Sequence, residues 1–553
     1  MLFDPANPGK KRLSCECCKN PWQSEGPVCG DCVDGETTTS GLDPANIDTS
    51  VAPGANFFEY ANGGWRKQNP VPKEYPAWNT FFALHDANLS RLRELMESTD
   101  DVRVRKFWEA ALDEDTIEAR GLEALAPVLA ACEEAAADPT AAIAALHRYG
   151  IAALIGVGEG PDDEKSSWTL LQLGQGGLGL PDRDYYLDDC HADKRELYEA
   201  FIRGTLERLD VADAAARAAD VLAFETACAK SQLSMTEKRD PQITYNKYSV
   251  AKLAATCKGC VDWPRLLELL DVPRRDGDVN LNAPAAIATS VRLFDELDAT
   301  VRVAYLKFHA AKSLSPHLPK AFVEAWFAFY GTALSGQQEQ QPRWKRALGF
   351  VDAALGELVG KAYTTKYFPE SSKKRCLDLV ERVRQQLERR LKEVPWMTNT
   401  KTREHALEKM NKFGCKIGYP DEWRAYEGLI IKAGDHLGNI LRARAHDHAV
   451  EMARVDAPTD LKKWEMLPHQ INAYYHPNLN EIVSGPRPNV DRRRRSAARL
   501  DRRRRTTERR RLTIDSLCSR RSSPPPSCSR PSSTRRQTMP QTWAAWASLS
   551  ATR

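Results

Sequence analysis

Four thiols near the N-terminus are the first candidates for chemistry. Cys15 and Cys18, then Cys29 and Cys32, form two Cys-x2-Cys pairs, the spacing that brings four thiolates around a tetrahedral zinc. The loop between the pairs is shorter than in ordinary zinc ribbons, and no apolar staple surrounds it. The alternative is a disordered head, residues 1–40, carrying reactive thiols. His446-x-His448 offers a second metal pair. Side chains two apart on a helix point about 200° apart, so these two are not expected to share an ion. His405 reads as an exposed helix residue. Asp182-Arg183-Asp184 could work as an acid/base cluster, but its alternating signs fit a structural ion-pair turn better. The last candidate is the stretch Ile471 to Ile482. Ile471, Ala473 and Tyr475 alternate with their neighbours, and Pro477-Asn478 supplies a turn, which predicts a short β element. Such a strand is either an ordinary sheet edge or one whose free backbone groups pair with an extended peptide.

The elements around these candidates are helical. Phe57, Tyr60 and Ala61 fall on one face of a short helix that Gly63-Gly64 is expected to end. Trp78, Phe81, Leu84, Leu89, Leu92 and Leu95 continue at helical spacing. Residues 100–235 are Ala-rich and read as helices, interrupted by a Gly-rich loop from Gly174 to Asp189. A long helix is predicted from Lys374 to Val394, a stop at Pro395-Trp396, and another helix from Lys401.

With 553 residues, of which 42% are hydrophobic, the chain can hold two or more domains. Its net charge of +4 conceals a division. Residues 484–553 carry 19 Arg, no Lys and four acids, or +15, whereas residues 1–483 carry 60 Lys and Arg against 71 Asp and Glu, or −11. The tail is too rich in Arg, Pro and Ser to bury a core, and is expected to be disordered. No apolar run is long enough to span a membrane. The N-terminus lacks an apolar stretch after its basic residues, so the expectation is a soluble, intracellular chain with reduced thiols.

Several strings are more specific than composition. Pro53 to Trp65 (PGANFFEYANGGW), Leu180 to Leu187 (LPDRDYYL), Arg239 to Asn246 (RDPQITYN), Ser335 to Arg346 (SGQQEQQPRWKR), Lys416 to Trp423 (KIGYPDEW) and Ile471 to Val483 (INAYYHPNLNEIV) stand in this order. Together they resemble the neprilysin and endothelin-converting-enzyme family of zinc metallopeptidases, from Gly41 to about Val483. Ala55 and Asn56 depart from it where acids are usual, and Asn62 stands where animal members carry a disulfide cysteine.

The resemblance implies a mainly α fold: the multi-helix N-terminal region of a two-domain metallopeptidase, with a thermolysin-like catalytic part. Residues 41–465 would be the helical region and 466–483 the start of the catalytic domain, with 484–553 as tail. It further implies that Asn472 and Ala473 hold the backbone of small peptide substrates, and that the cofactor is zinc. The family's zinc site rests on HExxH, whose two His bind the metal and whose Glu activates a water. None of the 11 His is followed by Glu. The expectation is therefore no catalytic residue and no zinc ligand in the sequence as written, no peptidase activity, and a helical body with uncovered apolar faces. The tail permits a cause. Val483-Ser484 can be encoded as an intron donor and Arg521 as an acceptor, separated by a length not divisible by three. Read one frame over, the codons from Arg521 onward permit VFPAAILQPPFFD and end on IGHE. A separate reading makes the chain a non-catalytic helical binding module with a cationic nucleic-acid-binding tail.

Overall fold

The structure is a computed structural model that describes residues 43–485, Arg275 excepted, and the backbone of two short paired strands, β1 (Leu2–Phe3) and β2 (Lys11–Arg12). Cys15, Cys18, Cys29, Cys32 and the Arg-rich tail lie outside the described residues. The chain divides into two compact units between Pro72 and Lys73.

In the first unit, Asn56 caps the helix Phe57–Gln68, its Oδ1 accepting from the Glu59 N–H at 3.1 Å. The helix runs straight through Gly63-Gly64, which were expected to end it. The glycines serve packing instead. A Cβ on Gly64 would lie 2.3 Å from the Ala45 carbonyl oxygen, and one on Gly63 would lie 2.7 Å from Asp48 Cβ. The helix can approach the 43–48 turn only because those positions lack side chains. Lys67 closes the contact with a 2.6 Å ion pair to Asp48.

The second unit is mainly α, as expected. Its helix Thr80–Glu97 starts at Asn79, whose side chain accepts from the Phe81 and Phe82 N–H groups, and it buries Leu89, Leu92 and Leu95. Phe81 is half exposed and Trp78 precedes the helix. This helix and Val102–Leu112 pack on the long helix Arg343–Tyr367. Ala192–Arg208, Ala214–Ala229 and Ala299–Leu314 pack around Tyr198, Phe224, Phe294, Tyr305 and Phe308, all buried. Residues 100–235 are not helical throughout. β3 (Ile155–Pro161) and β4 (Thr169–Gln175) form an antiparallel hairpin there, joined by β6 (Asp278–Leu281), parallel to β4, and β5 (Lys247–Ser249). Gly156, Gly158 and Gly160 occupy alternate positions of β3, so its period of two carries no apolar signal. The predicted loop from Gly174 begins within β4 and contains a short helix, Asp184–Leu187.

Downstream, the helix Glu370–Glu393 buries no residue, and Leu379, Val383, Leu387 and Trp396 are exposed. Thr400–Asn411 follows, then a three-stranded sheet in the order β7-β9-β8, formed by β7 (Gly414–Ile417), β8 (Ala473–His476) and β9 (Glu481–Ser484). This sheet draws on residues from both sides of position 466. Among the described residues no helix is long and apolar enough to cross a membrane.

The core holds neutral histidines. His317 Nδ1 meets His436 Nε2 at 3.1 Å, against Phe350 and beside Arg343, Arg444 and Asp435. Burial depresses His147 and His309 to about 4, His436 to about 3, and His317 well below 6.5. A depressed histidine binds its proton only after unfolding. Its stabilising share is complete above the unfolded value of 6.5 and is lost as the pH falls from there toward the folded value. From pH 7 to 5, each histidine that stays neutral should cost about 2 kcal/mol. Urea unfolding at both pH values checks this, and an unchanged midpoint would refute it.

Candidate functional site

Strand β8 is a sheet edge with one face of its backbone open. It pairs antiparallel with β9 from Ala473↔Ser484 to His476↔Glu481, and β9 pairs parallel with β7 on its other side. The Gly485 N–H donates to the Asn472 carbonyl at 3.4 Å, which sets the phase of the ladder. Asn472, Tyr474 and His476 direct their backbone groups toward β9. Ala473 and Tyr475 direct theirs outward, away from the sheet. The Asn472 side chain is exposed, and its Oδ1 accepts from the Ala473 N–H at 2.9 Å.

The strand is held from below. The turn after β8 is fixed by Asn480, with φ of 50°, a conformation that Asn tolerates. Its Oδ1 accepts from the Tyr475 hydroxyl at 3.0 Å, and its Nδ2 donates to the Lys409 carbonyl at 2.7 Å. Phe413 stacks on Tyr475 at 6.2 Å. Lys416 on β7 pairs with Glu481 on β9 at 2.8 Å, both nearly buried. Tyr474 packs on the other side of the strand, where burial and then Glu465 push its hydroxyl up to about 12.

The other sequence candidates stand apart from this strand. His446 binds the Arg424 guanidinium through Nδ1 at 2.9 Å and faces the Glu427 carbonyl through Nε2 at 3.0 Å. His448 lies instead against the Leu270 backbone. His405 is exposed. Asp182 accepts from the Asp184 N–H at 2.9 Å, while Arg183 donates to the Gln232 carbonyl at 2.8 Å. That is the structural turn. Among the described residues no three His, Cys, Asp or Glu side chains could hold a metal ion.

One cluster escaped the sequence reading. Glu225, fully buried, accepts from Tyr186 at 2.5 Å, Tyr198 at 2.9 Å and the Gly179 N–H at 3.1 Å, and meets His309 Nε2 at 2.8 Å. Burial pushes its carboxyl up, but these hydrogen bonds and the nearby, half-buried Lys312 hold it below the usual value. Burial in turn lowers the Lys312 ammonium. A signal existed. Glu225 lies at helical spacing from Ala218 and Val221, on the buried stripe of its helix.

The comparisons with known proteins agree with this architecture. The sequence profile described as Peptidase family M13 matches residues 53–420. An endothelin-converting enzyme homolog of Locusta migratoria is 24% identical over 477 residues, covering 79% of this chain and 65% of that protein. Endothelin-converting enzyme 1 of Bos taurus is 26% identical over 473 residues, covering 79% and 62%. The chain thus spans somewhat less than two thirds of the length of these curated relatives. Among solved structures, the zinc metalloprotease Zmp1 of Mycobacterium tuberculosis, in complex with an inhibitor, superimposes with a TM-score of 0.75 at 31% identity, covering 80% of this chain and 69% of that one. With the profile spanning most of the helical body and the strand strings in order on the same fold, the chain belongs to peptidase family M13.

Proposed function

We propose that this chain provides the helical body and the substrate-pairing sheet of a zinc endopeptidase acting on small peptides, with β8 taking an extended peptide as one more strand. The observation that supports this reading is the outward-facing backbone of Tyr475 and the outward Ala473 carbonyl, beside the exposed Asn472 amide, whose Oδ1 holds the Ala473 N–H in place of a peptide carbonyl. Zinc is the metal of the family, and the described residues do not fit a zinc centre.

Peptide binding tests the reading without catalysis. An extended apolar peptide should slow amide exchange at Tyr475 and Ala473. Replacing Asn472 by Ala should weaken binding by about 1–3 kcal/mol, the range for a hydrogen-bond partner removed from a site that becomes buried. The same change should leave stability within about 0.5 kcal/mol, because Asn472 is exposed. An ordinary sheet edge predicts no protection and no effect of Asn472→Ala.

A further inference from the structure

The long helix Arg343–Tyr367 is broken at Leu355, where φ is −135° and ψ is 26°. The break opens on a cleft of about 250 Å³. Asp352 and Glu357 line it from the helix, Arg424 and Tyr426 from the side, and Trp464 and Glu465 from the segment leading into β8. Its walls are fixed. The Glu357 N–H donates to the Tyr426 hydroxyl at 3.1 Å, and Glu357 Oε2 accepts from the Arg424 backbone N–H at 2.8 Å. Gly356 presses on Leu467, where an added Cβ would come within 2.4 Å.

The charge of the cleft is unbalanced. Three acidic residues line it, of which Glu465 also lies 4.0 Å from His476 Nε2, and its single arginine donates to Asp447 at 2.7 Å and meets His446 at 2.9 Å. Asp352 keeps a buried Oδ1 without a hydrogen-bond partner among the described residues. Its other oxygen lies 3.0 Å from Nε2 of His469, whose side chain is 2% exposed. Neither ring nitrogen of that histidine makes a well-directed hydrogen bond. Buried polar atoms left in this state are rare in folded proteins, and each one requires a reason.

The cleft also lies beside the substrate strand. Gly485, bonded to the Asn472 carbonyl, sits against Pro468 and Met466, with an added Cβ 3.3 Å from the Pro468 oxygen and 3.5 Å from Met466 Cε. Both of those residues line the cleft.

We propose that this cleft receives the basic side chain, Lys or Arg, of a peptide paired along β8, its cationic head reaching Asp352 and its stem lying along Trp464. The proposal rests on the edge-strand reading and makes the site selective for cationic peptides. The test uses the full 553-residue chain and labelled, end-capped hexapeptides in which one Arg or one norleucine is moved through every position. At one position Arg should bind about ten- to a hundredfold tighter than norleucine, the range for charge-assisted hydrogen bonds. The double variant Asp352→Asn, Glu465→Gln should abolish that preference and leave norleucine peptides within about twofold. Asp352→Glu should restore much of it, and thermal unfolding shows whether each variant is folded. If Arg and norleucine peptides bind equally well everywhere, the cleft proposal is overturned and strand pairing stands. If the preference survives the double variant, the cation is held elsewhere and the proposal fails. If no peptide binds, strand pairing fails, and the cleft proposal with it.

Discussion

Incubated with small apolar peptides, the 553-residue chain is expected to give no cleavage that a zinc chelator suppresses. HExxH is absent from the sequence, and the described residues offer no three-ligand group. Without a metal-bound water, peptide hydrolysis loses the nucleophile on which this chemistry depends. The deficit against an intact relative should be on the order of a millionfold or more, the scale of enzymatic acceleration itself. A second arm tests the intron reading of the tail. A message lacking the stretch from the Val483 codon through the second base of the Arg521 codon should encode VFPAAILQPPFFD directly after Ile482 and proceed to an IGHE string. Chelator-sensitive cleavage by the chain ending at Arg553 would overturn the first arm. Transcripts reading only through Val483 would overturn the second.

Replacing Glu225 by Ala should destabilise the second unit by about 3–5 kcal/mol, the cost of breaking a buried charge pair from one side. The substitution would strand two tyrosine hydroxyls and the His309 ring, and would leave the half-buried Lys312 ammonium without its counter-charge. Adding Lys312→Met should recover part of the loss, because the uncompensated charge leaves with it. The carboxyl is held below its ordinary 4.5, so its stabilising share is present above that value and disappears as the pH falls through the lowered one. Urea unfolding of the single and double variants at pH 7 decides the matter. A loss under about 1 kcal/mol for Glu225→Ala would place the charge balance elsewhere.

The parts legible in the sequence were those whose signal is local. The helix predicted over Lys374 to Val394 spans Glu370–Glu393, and the one from Lys401 is Thr400–Asn411. The β element at Ile471 to Ile482 became β8, a turn and the start of β9. What failed depended on distant partners. Gly63-Gly64 read as a stop because glycine often ends helices, yet here the 43–48 turn requires bare backbone at that point. The β3–β4 hairpin was invisible because its alternate positions are glycines, and its stability comes from β6, about a hundred residues further on. The candidate edge was legible as a strand, with an ordinary sheet edge and peptide pairing as its two readings. Which backbone groups point outward depended on a bond from Gly485 that no local pattern specifies.

The strand order β7-β9-β8 carries a consequence for synthesis. β9 is the last of the three to be made, yet it is the one on which both others pair. β7 is therefore synthesised more than sixty residues before β9, its sheet partner among the described residues. At about 5–20 residues per second, its edge stays unpaired for several seconds while the helices upstream can already fold. The sheet then closes in one late, non-local event, slowed by the chain that must be looped out. A nascent chain that has released β7 but not β9 would present a strand with no partner, a template for aggregation that is removed once β9 emerges and pairs.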